Sequence, residues 1–306
     1  MSKQNFGRVA VILGGDSSER EVSLRSGEAV YQALIAEGVD AYQLDPGALD
    51  PWECVQQLKS CDRVFLALHG GAGEDGSWQG LLECLKLPYT GSKVKASAIS
   101  MDKLMTKRVW LSGGLPTPDY AQVTAQTRAA ELIATLGLPL IIKPAEGGSS
   151  LGMSKVTDAD QLEAACVAAT QWGGAVIAER WIQGSEYTVA ILDQNPLPAI
   201  ALKTPRDFYD YQAKYQESTT QYQCPCGLSP EDEQALQQLC LRAFNSVGCA
   251  GWGRVDVMRD QQGQFWLLEV NTIPGMTNRS LVPMAAAQAD ISFNNLVLKI
   301  LATTLI

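Results

Sequence analysis

Apolar residues in the first third of the chain come in short unbroken runs set between mixed segments. RVAVILGG (8–15) reads as a buried strand that ends in glycines. Ser18 and Glu21 then stand at the spacing of a capping box, and a helical pattern runs on to about Glu37. VDAYQLD (39–45) and RVFLALHGG (63–71) read as a second and a third strand. Strands alternating with helices predict a parallel sheet. Functional loops are then expected past the strand ends, after Leu13 and after Leu68.

The pattern changes further on. SMDKLMTKRVWLSGG (100–114) predicts one helix with a glycine stop, and LPTPDY is a two-proline connector. Residues 136–156 read strand, glycine-rich loop, strand, and 158–170 read as a helix. AVIAERWIQGSEYTVAIL (175–192) reads strand, short joint, strand. Residues 203–227 are polar, Tyr-rich and irregular, and a loop of that length in a compact chain is usually functional or disordered. A capped helix is expected over 229–248, with Gly248 as its stop. GWGRVDVMRDQQGQFWLLEVN (251–271) predicts a hairpin turned by DQQG, and 292–305 an amphipathic closing helix. No internal repeat is visible.

Composition narrows the class. The 306 residues suffice for two or three domains, and a hydrophobic fraction of 46% can fill their cores. The net charge of -9, with no basic block, argues against general nucleic-acid binding. No apolar run reaches the ~18 residues of a membrane span, and the N-terminus lacks a signal-peptide cleavage pattern, so a cytoplasmic protein is expected. The eight cysteines are scattered and read as reduced thiols. Their one close pair, Cys224 and Cys226, has neither zinc spacing nor a histidine nearby.

Two glycine motifs look alike and differ in chemistry. GAGEDG (71–76) matches G-x-G-x-x-G, but Glu74 and Asp75 sit where a pyrophosphate would lie and would repel it. A tight turn into a helix near Ser77 is the better reading. GGSSLGMSK (147–155) has Met153 where a Walker loop needs Lys, and it leads into a strand. Its glycines and hydroxyls still let backbone N–H groups approach phosphate oxygens, with Lys143 as a point charge beside them. Taken alone, the loop reads better as a plain flexible hairpin.

The hairpin carries the strongest local signal. Side chains two apart on a strand share a face, so Arg254 pairs with Asp256 and Glu269 with Asn271. Closing the hairpin through DQQG brings Asp256 near Glu269. Three oxygen donors suit Mg2+, not zinc. A salt bridge from Arg254 to one acid is the structural alternative.

In order along the chain stand ILGGDSSEREVSL, ALHGGAGEDGSWQGLLE, PYTGS, SMDK, LPLIIKP, GGSSLGMSKV, AERWIQGSEYTV, FYDYQAKY, GWGRVDV, LLEVNTIPGMT and SLVPMAA. This set, from about Val9 to Ala286, resembles the bacterial D-alanine–D-alanine ligases of the ATP-grasp superfamily. The resemblance implies an α/β (α+β) chain in three domains. An N-terminal parallel-sheet domain (1–97) would hold the first D-alanine. A central domain (98–184) and a C-terminal domain (185–306) would clasp ATP between antiparallel sheets. The implied reaction joins two D-alanines through an acyl phosphate, for peptidoglycan precursor synthesis. A related ligase forming D-alanyl-D-lactate or another D-amino-acid dipeptide is the alternative. The third reading, from another class, is a nucleotide-binding scaffold without catalysis.

The resemblance also assigns residues. Asp256, Glu269 and Asn271 would hold two Mg2+, with Mn2+ as a substitute ion. Lys103, Lys143 and Lys214 would contact phosphates, with Ser149 and Ser150 in the ATP loop. Glu179 and the backbone at Trp181 and Ile182 would read adenine, and Glu186 the ribose. Glu19 would take the ammonium of the first D-alanine, and His69 would lie near its carboxylate. Arg254 and the Gly275 N–H would form an oxyanion hole. Ser280 and Leu281 would receive the second carboxylate. Tyr215 and Ser149 would link to Glu19 beneath a lid at 203–227. A homodimer is implied, with no membrane and no nucleic-acid partner. Asp16, Ile273 and the lack of an Arg before the glycines of AEGGSS depart from the commoner family pattern.

Overall fold

The computed structural model describes residues 5–148, 150–172, 174–204, 220–277 and 279–305. Three sheets organise it. The first is parallel, in the order β2-β1-β3, from Ala41–Leu44, Val9–Ile12 and Arg63–Leu66. All four residues of β1 are buried, as an unbroken apolar run between two neighbours requires. The helix Arg20–Ala36 covers this sheet through Val30 and Leu34. Its N-cap is Glu19, with no side-chain cap bond, so the expected capping box of Ser18 and Glu21 does not form. Instead Ser17 Oγ accepts the Glu19 N–H at 3.1 Å, which settles the turn one residue earlier.

The second sheet has four antiparallel strands in the order β4-β7-β5-β6: Tyr120–Val123, Val176–Arg180, Leu140–Pro144 and Ser154–Val156. The glycine loop connects β5 to β6, as the sequence predicts. Helices Ala129–Leu136 and Leu162–Thr170 close its core with Leu132, Leu136, Leu162 and Ala165.

The third sheet runs β11-β10-β8-β12-β13, with β9 (Asn195–Pro196) on β8. Its strands are Gln221–Gln223, Ile200–Lys203, Gly184–Leu192, Trp252–Asp260 and Phe265–Asn271. The strand pair predicted over 175–192 therefore splits: β7 and β8 belong to different sheets, and the joint between them crosses from one to the other. β11 lies inside the stretch expected to be irregular, and residues 205–219 fall outside the described residues.

The predicted helix over 100–114 is interrupted. Val94–Met101 ends at Asp102, whose carboxylate accepts the N–H groups of Leu104 and Met105 and starts a new helix, Lys103–Ser112. That second helix packs on the third sheet through the fully buried Trp110, whose Nε1 donates to Ala243 O. The C-terminal helices Leu281–Gln288 and Phe293–Ala302 share a core with the first sheet, and Trp252 of β12 packs near Phe65 of β3 at 6.3 Å. Among the described residues, no helix is long and apolar enough to cross a membrane.

Candidate active site

The hairpin β12–β13 is the floor of the site. Its register sets Arg254 opposite Asn271 and Asp256 opposite Glu269, then shifts past Asp256. The shift is a β-bulge, visible in the burial of β13: Phe265 and Leu267 are buried two apart, and Val270 comes three later. One extra residue lets Leu267 fill the core while Glu269 and Asn271 face the other side.

On that side Asp256 is held from three directions. Arg254 grips it with two bonds, Nε to Oδ1 at 2.8 Å and Nη2 to Oδ2 at 2.7 Å. Asn271 Nδ2 donates to Oδ2 at 3.0 Å, and Thr188 of β8 donates to Oδ1 at 2.6 Å. So the salt bridge and the oxygen cluster, alternatives in the sequence, coexist. Asn271 uses its amide nitrogen on Asp256, which leaves the amide oxygen as its donor to a cation. Two facing carboxylates and an amide oxygen form an all-oxygen set, and that chemistry fits a hard divalent ion. Among the described residues no three His, Cys, Asp or Glu side chains gather into a metal-sized cluster, so the set here is two carboxylates and one amide oxygen; all eight cysteines are free thiols.

Lysines link this floor to the glycine loop. Lys103 Nζ donates to Gly147 O at 2.7 Å and stands 3.6 Å from Glu269 Oε2. Lys143, at the end of β5, lies 3.0 Å from Glu179 Oε2 on the neighbouring β7. A Cβ on Gly148 would meet Glu19 Oε1 at 2.4 Å, so the loop rests directly on Glu19, which is buried. Ser149, Lys214 and Tyr215 lie outside the described residues. Ser150 is described, in a left-handed conformation at φ 57°. The backbone N–H of Trp181 donates to Pro139 O, Lys155 Nζ lies 4.5 Å over the Trp181 ring, and Ile182 is buried. Glu186 sits on β8 opposite Leu202 and Met258.

The turn after β13 carries Gly275. A Cβ there would meet Ser280 Oγ at 2.9 Å, so glycine allows the turn to close on the start of helix Leu281–Gln288. Its neighbours' N–H groups are committed. Ile273 donates to Glu74 Oε1, Met276 to Ser26 Oγ and Thr277 to Ser280 Oγ. Among the described residues the Gly275 N–H has no such acceptor.

His69 is built into this brace. Its Nδ1 lies 2.8 Å from Ile273 O and its Nε2 3.0 Å from Ser26 Oγ. A carbonyl only accepts, so Nδ1 carries the proton and Nε2 accepts from the Ser26 hydroxyl. Both ring nitrogens are thereby used by protein, Nδ1 on the turn after β13 and Nε2 on the helix Arg20–Ala36. Burial first, and the Arg254 charge after it, press the imidazole down to about 4, against the pull of the Ile273 carbonyl. A depressed folded value means the unfolded chain takes up a proton that the folded chain refuses. Stability is therefore expected to fall as pH drops from 6.5 to about 4, by about 3 kcal/mol at ~1.4 kcal/mol per pH unit. Thermal denaturation across that window checks this, with His69→Gln lacking that part of the decline.

Residues 109–302 match the family described as D-ala D-ala ligase C-terminus, and residues 41–92 match D-ala D-ala ligase N-terminus. The chain belongs to the D-alanine–D-alanine ligase family. It is 56% identical over 299 residues to a D-alanine–D-alanine ligase of Ectopseudomonas mendocina (strain ymp), across 97% of this chain and 94% of the relative. The crystal structure of a D-alanine–D-alanine ligase from Bacillus anthracis superposes with a TM-score of 0.88 at 36% identity, covering 97% of each chain. A Bacillus anthracis ligase structure complexed with ATP gives 0.87 at 32%, covering 98% of this chain and 97% of that one.

Within this ligase fold the sequence reading missed several supporting residues: Ser26 and Glu74 beneath the Gly275 turn, Thr188 on Asp256, and Lys107 on Glu179. Only Lys107 left a trace, one helical turn after Lys103 on the same helix face. Glu74 has its carboxyl pushed well above the usual range, by burial first and by the Glu19 charge second. It shares this pocket with the group expected to meet an ammonium.

Proposed function

We propose that this chain joins two D-alanines with ATP, releasing ADP and phosphate and supplying the dipeptide for peptidoglycan precursors. The observation that carries the reading is the single hairpin face that gathers Arg254, Asp256, Glu269 and Asn271, with Asn271 four residues ahead of a Gly275 N–H that has no acceptor among the described residues, in a chain of this family. Glu19 receives the ammonium of the first D-alanine and orients its carboxylate. One carboxylate oxygen attacks the γ-phosphorus, ADP leaves, and an acyl phosphate forms. Lys103, Lys143 and Lys214 hold phosphate oxygens, with Ser149 and Ser150 in the covering loop. Glu179, with the backbone at Trp181 and Ile182, reads the adenine, and Glu186 the ribose.

Two Mg2+ (or Mn2+) ions held by Asp256, Glu269 and Asn271 would supply charge neutralisation on the phosphates. The second D-alanine docks its carboxylate at Ser280 and Leu281, the start of a helix, where backbone N–H groups favour an anion. Its amine attacks the acyl carbon, and Arg254 with the Gly275 N–H stabilises the oxyanion before phosphate leaves. His69 lies near the carboxylate of the first D-alanine and, with Ser26, holds the 273–276 turn in place. Tyr215 and Ser149 tie a lid to Glu19 that keeps water from the acyl phosphate. The division into 1–97, 98–184 and 185–306, a homodimer and a cytoplasmic location complete the proposal.

A coupled assay of ADP release tests it, with D-alanine, L-alanine and D-lactate offered singly and in pairs. D-Alanine alone is expected to sustain turnover and to yield dipeptide. ATP binding with no turnover on any D-amino acid would overturn the reading.

A further inference from the structure

Lys107 is a buried cation that the reaction above does not use. It lies on the helix Lys103–Ser112 with its side chain wholly enclosed. Its Nζ stands 2.9 Å from Glu179 Oε2 and donates to Thr117 Oγ1 at 2.5 Å. The Thr117 hydroxyl in turn donates to Leu267 O of β13 at 2.9 Å. The Tyr120 ring, on the strand paired with Glu179, lies 5.7 Å from the same Nζ.

We infer that Lys107 is a positioning residue for nucleotide selectivity, keeping the Glu179 carboxylate charged and fixed so that it accepts only from a purine bearing an amine at C6. The inference rests on the adenine role proposed for Glu179. Its logic is one of counter-ions. Glu179 has two, Lys107 and Lys143, both on Oε2. Lys143 lies at the end of β5, the strand that leads into the glycine loop, where a triphosphate would offer it a competing anion. Lys107 sits behind Glu179, anchored through Thr117 to the other sheet, and stays when nucleotide enters.

A carboxyl as enclosed as Glu179 would otherwise be driven to protonate. Burial alone raises it; the charges of Lys107 and then Lys143 outweigh burial and hold it below the ordinary range. The protonation state decides what it reads. A carboxylate only accepts, so it takes the adenine amine and repels the O6 of hypoxanthine or guanine. A neutral carboxyl also donates and would take O6 as well. The charged groups facing this pair are Lys107 and Lys143 on Glu179, and Lys143 and Glu269 on Lys107, with the Tyr120 phenol alongside.

The test is direct binding of ATP and of ITP by calorimetry, on the full chain with Mg2+, from pH 6 to 9. The wild type is expected to prefer ATP equally across the range. Lys107→Met is expected to lose at least about tenfold of that preference at pH 7 and to regain it toward pH 9, as Glu179 ionises without its partner. Thr117→Val, which removes the anchor and keeps the charge, is expected to retain the preference; a purely structural Lys107 would make both variants behave alike. An unchanged ATP-to-ITP ratio in folded Lys107→Met would overturn the inference. Should that variant not fold, Lys107→Gln carries the same expectation. A wild-type preference that fades at pH 6 would overturn the inference without any variant. A wild type that binds ATP and ITP equally at every pH would instead overturn the adenine reading beneath it.

Discussion

Glu269→Gln is expected to lower ADP release by about three orders of magnitude in a protein that stays folded. The fold depends little on this side chain. It is a quarter exposed, and its ion pair with Lys103, at 3.6 Å, is of small energetic weight. Its position is another matter. It faces Asp256 across the hairpin, so its loss leaves one carboxylate where two would hold a divalent ion. Ion-borne stabilisation of transferring phosphate amounts to several kcal/mol, and ~1.4 kcal/mol is tenfold in rate, which gives about a thousandfold. The measurements are the coupled ADP rate against Mg2+ concentration, with the melting temperature as control. A rate within tenfold of wild type would remove Glu269 from the site.

The second large effect concerns Arg254. Arg254→Met is expected to cut turnover by about 10²–10³, the usual loss for one donor to a developing oxyanion. It is also expected to lower the melting temperature, because Asp256 loses two short bonds at an almost buried position. Removing one partner of such a pair leaves a charge uncompensated, at a cost of about 3 kcal/mol or more. Adding Asp256→Asn removes that charge, so the double variant should recover melting temperature, while staying inactive because Asp256 is itself a proposed ion ligand. Turnover within tenfold of wild type in Arg254→Met, measured below its melting temperature, would make Arg254 a structural partner of Asp256 alone. Arg254→Lys is expected to recover little, since an ammonium cannot span both carboxylate oxygens.

Much of the fold was legible locally. The run at Val9–Ile12, the DQQG hairpin and the strand–glycine loop–strand around 147–152 are dictated by two-residue alternation, unbroken apolarity and turn residues, which act over a few positions. The break at Asp102 was hidden, because the apolar pattern continues across it and only the cap chemistry marks the new helix. The bulge in β13 was hidden too, since WLLEVN has apolar residues on both faces and no periodicity to betray a shifted register.

The chemistry the chain could carry was readable from its residues: Arg254 with Asp256, Glu269 with Asn271, a glycine loop with Lys143, and an ordered motif set that names a family. These depend on residue type and short spacing. How those groups are used follows from the packing of sheets and helices. That packing split β7 from β8 between two sheets, turned both nitrogens of His69 inward to partners as far as 204 residues away, and set Lys107 behind Glu179. Such contacts arise only where whole sheets and helices pack together. No local periodicity encodes which buried donor will meet which acceptor once the layers close.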